Sequence, residues 1–145
     1  MAYQTRQRDP LLDDQTHEML MRFGQQALGF ALLGLGAALA AMLWSYAPDD
    51  PHFMAATDAV PQNLLGHVGA SVAAILMMIM GYGAVLLPIA SVVWGMRFLR
   101  SNRHERALGR IAFLPIAVAL AAIYAASLTP PENWVHSFGL GGLFG

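Results

Sequence analysis

Residues 68–96 read VGASVAAILMMIMGYGAVLLPIASVVWGM, 29 consecutive positions without Asp, Glu, Lys or Arg. As one α-helix this run would be about 43 Å long, more than the roughly 30 Å of hydrocarbon in a bilayer. It must therefore tilt, kink or begin with a shallow piece. Gly81, Gly83 and Pro88 supply the means. Pro88 in particular offers no N–H and crowds the carbonyl of Ala84. Cutting the run at Gly81–Gly83 leaves halves of roughly 13 residues, each too short to cross. The expectation is one long span over 68–96, kinked near Pro88.

Two more uncharged runs flank this one. Toward the N-terminus, no charge occurs between Arg22 and Asp49, and the apolar heart lies between Ala27 and Trp44. A first span over 23–46 follows, with Trp44 and Tyr46 at its far end, where aromatic side chains favour the membrane interface. A cleaved signal peptide carries a basic n-region, whereas residues 1–22 mix Arg6, Arg8 and Arg22 with Asp9, Asp13, Asp14 and Glu18. Toward the C-terminus, a third span is expected over 111–128, stopped by Thr129-Pro130-Pro131. The fold class is all-α integral membrane, with three transmembrane helices. The charged fraction of 12%, against about 25% in ordinary soluble domains, agrees with that class.

The connections carry nearly all the ionisable groups. Residues 1–22 form an N-terminal segment, 47–67 a loop, 97–110 an Arg-rich connector and 129–145 a glycine-rich tail. All eight basic residues are Arg: three in the N-terminal segment, then Arg97, Arg100, Arg103, Arg106 and Arg110 in the connector. Short cytoplasmic segments hold the Arg/Lys excess. The N-terminus and connector are therefore expected in the cytoplasm, with loop 47–67 and tail 129–145 outside. Beside a membrane, the connector's arginines are best explained by orientation and anionic head groups rather than by nucleic acid.

Several chemistries are excluded or disfavoured. Without a lysine the chain cannot form a P-loop. The absence of cysteine removes disulfides and thiolate ligands. His52, His67, His136, Asp49, Asp50, Asp58 and Glu132 on the outer side lack the spacing of a ligand motif and read as a solvated, turn-rich loop and tail. No charge lies within the spans, which argues against a pump or proton relay. No cofactor and no catalytic residue is expected. Small residues at four-residue spacing (Gly34, Ala38 and Ala41; Ala117, Ala121 and Ala125) allow close helix approach. Packing within the chain is the simpler use of them, and homo-oligomerisation the other.

The order of particular residues goes further. Trp44-Ser45-Tyr46-Ala47-Pro48-Asp49-Asp50-Pro51 is followed by Asn63-Leu64-Leu65-Gly66-His67-Val68-Gly69-Ala70, then by Gly81, Leu87-Pro88, Trp94 and Arg97, and finally by Trp134 and Gly141-Gly142-Leu143-Phe144-Gly145. This series resembles the N-terminal membrane domain of the FtsK/SpoIIIE DNA translocases: an Asp-Pro after an aromatic exit, N-x-x-G-x-x-G-A, and a glycine and a proline in the next span. The motif residues here are Asp50, Pro51, Asn63, Gly66, Gly69, Ala70, Gly81 and Pro88. His52 replaces the family's usual Ser or Thr, and Ala74 a frequent Asp. The resemblance implies a membrane anchor, usually of four spans, that brings a DNA-pumping motor to the division site, with division proteins as partners. It does not imply that this segment hydrolyses ATP or touches DNA. Without the resemblance, the same features suit a stand-alone accessory subunit of a larger inner-membrane complex, respiratory or photosynthetic.

Overall fold

The computed structural model describes residues 13–52, 60–100, 113–132, 134 and 136–145. Among these, every regular element is helical: α1 (Asp14–Trp44), α2 (Gly66–Met80), a 3-10 segment (Gly81–Val85), α3 (Leu86–Arg100), α4 (Leu114–Ala126) and a final 3-10 turn (Gly142–Phe144). Two helical stretches, Gln15–Trp44 and Gly66–Arg100, are long and apolar enough to cross a membrane; Leu114–Ala126 is apolar but shorter. Arg103, Arg106 and Arg110 of the connector lie outside the described residues.

The second stretch is not one rod bent at proline. Its helix ends at Met80, and Gly81 adopts φ 54° and ψ −137°, a backbone that a side chain disfavours. The chain then tightens into the 3-10 segment before α3 begins. Pro88 is the third residue of α3, where its missing N–H has no intrahelical acceptor to lose. The expected kink near Pro88 is thus corrected to a break at Gly81, seven residues earlier.

α1 and α3 form an antiparallel pair. Their register is fixed by Gly29 against Gly95 and Leu99, and by Gly36 against Pro88 and Val92. Extending that register sets Tyr82 level with Trp44, and both line one apolar cavity of about 660 Å³ with Gly36, Ala40, Val85 and Ile89. The seam uses glycine because a Cβ on Gly95 would sit 2.9 Å from the Gly29 carbonyl oxygen. It is not the stripe singled out from sequence, since Gly34 has nothing within 4 Å of its Cβ position. On α4 the buried residues are Val118, Ala122 and Ala125: Ala125 of the expected stripe is among them, while Ala117 and Ala121 give way to the residues one position on.

α2 takes a different course. Asn63, three residues before it, bonds to the carbonyls of Met42 and Ser45, while Tyr82, two residues after it, is level with Trp44 across the cavity they both line. Both ends of this 15-residue helix, about 22 Å long, therefore lie at the level of the same end of α1. α2 lies across the helix pair rather than along it. Gly81–Arg100, which runs beside α1, measures about 32 Å in combined 3-10 and α rise, a length close to the thickness of a bilayer core.

The interior is small-residue packing: Ala70, Ala73, Ala84, Ala122 and Ala125 are buried, with Met77, Val118 and Leu140. Large apolar side chains point outward, among them Phe30, Leu35, Ile89, Val93, Ile116 and Leu120. That is the reverse of a water-soluble domain and matches helix association in lipid.

Candidate functional site

The chain's polar chemistry converges where α1 ends. Asp50 and Asn63 are 3% and 4% exposed, although the sequence places Asp50 in a solvated loop. Burying a carboxylate requires partners, and it has them. Asp50 Oδ1 accepts the Gln62 N–H at 2.7 Å and Oδ2 the Asn63 N–H at 2.9 Å. Charged acceptors make these bonds stronger than neutral ones. The Asn63 side chain then closes α1: Nδ2–H donates to the Met42 carbonyl at 2.9 Å and the Ser45 carbonyl at 3.3 Å. A helix end has carbonyls without intrahelical partners, and Asn63 supplies a donor. Its Oδ1 accepts the Leu65 N–H at 3.1 Å, and the Ser45 hydroxyl accepts the Leu64 N–H at 3.0 Å while donating to Ala41.

This knot gives the spacing of Asn63-x-x-Gly66-x-x-Gly69-Ala70 a physical sense. Gly66 has φ 63°, so the chain can turn from the knot into α2. A Cβ on Gly69 would strike Asn63 Oδ1 and come within 2.7 Å of Leu65 Cβ. Pro51, Ala70 and Pro88 are buried, and Gly81 makes the break after α2. Sequence order placed these residues in one series, and the fold gathers Asp50, Asn63 and Gly69 into one knot.

The tail forms a second cluster, which sequence reading missed. The Tyr82 N–H donates to the Leu140 carbonyl at 2.9 Å, so the tail satisfies a backbone group left by the break at Gly81. Gly141 and Gly145 sit on Ala122 and Ala126 of α4. The tail thus lies between the break and α4. Upstream, His136 stacks on Phe138 at 4.7 Å between ring centroids and on Tyr46 at 5.7 Å. Tyr46 Oη and His136 Nε2 are 3.3 Å apart. Trp134 presents its edge to His136 at 4.8 Å and reaches Tyr82 at 5.7 Å. Its indole N–H donates to the Phe138 carbonyl at 2.6 Å. The only signal in the sequence was the density of aromatics and glycines after Pro131. His52 and Ala74, the two departures from the family pattern, line one cavity of about 140 Å³ beside Tyr46 and His136.

Burial pushes the His136 imidazole below its ordinary 6.5. The folded state therefore takes up its proton less readily than the unfolded one. Its contribution is intact above pH 6.5 and declines as pH falls from there toward the lowered value. Thermal stability in detergent should drop across that window, and His136→Phe, which keeps the stacking, should flatten the dependence. An unchanged pH profile in that variant would assign the effect to another group.

Among the described residues, no group of three or more His, Asp or Glu is placed to hold a metal ion. The polar side chains of the knot bind the chain's own backbone. Over residues 21–145 the chain matches the family described as the 4TM region of DNA translocase FtsK/SpoIIIE. The chain belongs to that family. Relatives named DNA translocase FtsK include one from Brucella suis, 34% identical over 146 residues covering 94% of this chain and 17% of the relative. Another, from Rhizobium meliloti, is 33% identical over 117 residues, covering 81% of this chain and 13% of its own length. The Rickettsia typhi protein is 38% identical over 98 residues, 68% of this chain and 12% of the relative. The chain thus spans less than a fifth of these relatives. No solved structure matches it. The matched region is the membrane region of an FtsK-like translocase, and the family implies an inner-membrane location.

Proposed function

We propose that this segment is the multi-pass anchor that fixes an FtsK-like DNA translocase in the inner membrane and gathers it at the division site. Its N-terminus and Arg-rich connector face the cytoplasm, and the polar knot and tail face outward. The observation that carries the anchoring role is the pairing of an apolar exterior with family membership. Phe30, Leu35, Ile89 and Val93 stand exposed around the glycine seam of α1 and α3, a surface that lipid satisfies and water does not. Arg97 and Arg100 in the last turn of α3 suit both the helix C-terminus and anionic head groups.

The segment does no nucleotide chemistry itself, because a chain without lysine offers no P-loop. Its mechanical role is to hold a motor against the load of pulled DNA. Division proteins are the partners this role requires, and self-association would place several motors together. A fluorescent protein fused to residues 1–145 should fractionate with the inner membrane and concentrate at the division plane. Even distribution around the envelope would remove the targeting role and leave the anchor. Recovery in the soluble fraction would remove both.

A further inference from the structure

We propose that α2 is an in-plane lipid anchor: it lies in the interfacial zone at the Trp44 end of the helix pair, with its leading apolar side chains sunk into that leaflet. The inference rests on the membrane reading above and adds a second mode of lipid contact to it.

Three observations carry the proposal. First, both ends of α2 lie at the level of the same end of α1: Asn63 bonds the Met42 and Ser45 carbonyls, and the α1–α3 register sets Tyr82 level with Trp44 across one cavity. A helix about 22 Å long with both ends at one level does not change depth by its own length. Second, an apolar patch surrounds its start: Leu64 is 72% exposed, Val68 69% and Trp44 91%, with Val60 and Leu65 beside them. Two polar groups of the same segment, Asp50 and Asn63, are turned inward and consumed by the knot, while Gln62 and His67 stay exposed beside Leu64 and Val68. Such a mixed exterior suits the interfacial zone, where apolar side chains and polar tips are both satisfied. Third, Trp44 lines the apolar cavity between α1 and α3 and directly precedes Ser45, whose hydroxyl accepts the Leu64 N–H, so the start of α2 is tied to the apolar end of the helix pair. Trp and Tyr favour that interfacial depth. The opposite face of α2 is already occupied, with Gly69, Ala70, Ala73 and Met77 buried against the protein. The lipid leaflet at the Trp44 end is the occupant that fits what is left.

Depth can be read directly, because the chain has no cysteine to remove. Single-cysteine variants carrying a nitroxide would be placed in phosphatidylcholine–phosphatidylglycerol vesicles, and exposure to oxygen compared with exposure to a water-soluble nickel chelate. One series follows α2 (Leu64, Val68, Val72, Leu76 and Ile79). The other follows the crossing helix (Val85, Ile89, Val93 and Met96). The α2 series should stay shallow, varying by no more than about one helical turn, 5.4 Å. Because Gly81–Arg100 is about 32 Å long and centred near residue 90, the α3 series should deepen by about 6 Å from Val85 to Ile89, be deepest between Ile89 and Val93, and rise by Met96.

A steady descent of about 16 Å from Val68 to Ile79 would make α2 part of a span and overturn the proposal. Free chelate access at Leu64 and Val68 would also overturn it, by placing the patch in water. Each of these results, obtained with the α3 profile intact, leaves the membrane reading standing. Loss of lipid exposure at Ile89 and Val93 would instead refute that reading, and with it the proposal.

Discussion

Gly81→Ala should lower the stability of the chain by about 3 kcal/mol or more, one of the two largest losses expected from a single substitution. Two separate causes act at this position. The backbone, at φ 54° and ψ −137°, lies in a region essentially reserved for glycine. There is also no room: a Cβ would strike the Leu140 carbonyl oxygen and come within 2.6 Å of the Gly142 nitrogen. These contacts are backbone on backbone, so no rotamer change relieves them. The tail would have to leave, and the Tyr82 N–H would lose its partner. Gly34→Ala is the control, because its Cβ position is open and alanine favours a helix by about 1 kcal/mol. Thermal unfolding in detergent reads both. Equal midpoints for the two variants would show that the break at Gly81 does not hold the fold.

The second large effect is expected at Asn63, and its test lies in the order of two variants. Asn63→Ala removes a donor to Met42 and Ser45 and an acceptor for Leu65, a loss of about 2–3 kcal/mol for a buried polar group with neutral partners. Asn63→Asp keeps the shape but turns the donor into an acceptor aimed at two carbonyls. It also sets a second carboxyl beside the buried Asp50. Like charges in one buried site are strongly unfavourable, so the isosteric change should be worse than the truncation. An aspartate variant more stable than the alanine variant would contradict the assigned hydrogen bonds.

These two sites differ in how far the sequence revealed them. The Asn63-Gly66-Gly69-Ala70 series stood out as a pattern, and its geometry adds the reason: a side-chain amide closing one helix while a glycine makes way for it. Asp50 showed its place in the series but not its burial. The partners that make burial tolerable are backbone N–H groups of Gln62 and Asn63, and backbone groups leave no mark in sequence.

The break at Gly81 was only partly legible: the run was too long for one straight span and Gly81 was among the residues able to bend it, but nothing chose it over Pro88. Hydrophobicity is continuous from Val68 to Met96 because α2 is covered by protein along one face and borders an apolar surface at its start. Neither state interrupts the run, so composition could not report where the direction changes. Proline drew attention to position 88, yet at the start of a helix it is a favourable residue rather than a breaker. The helix seam was misjudged similarly. Gly34, Ala38 and Ala41 satisfy the small-residue rule, but Gly29 and Gly36, a heptad apart, face α3. Spacing identifies which residues share a face, and only the packed partner decides which face is used.

On the function proposed above, α1 and Gly81–Arg100 cross the membrane as an antiparallel pair, with the knot on one side and the Arg-rich connector on the other. Dual reporters inserted at Asp58 and at Asn102 test it most directly, one active only in the cytoplasm and the other only outside. The prediction is an external signal at Asp58 and a cytoplasmic signal at Asn102. The reverse assignment would contradict the orientation, and both reporters on one side would contradict the crossing itself.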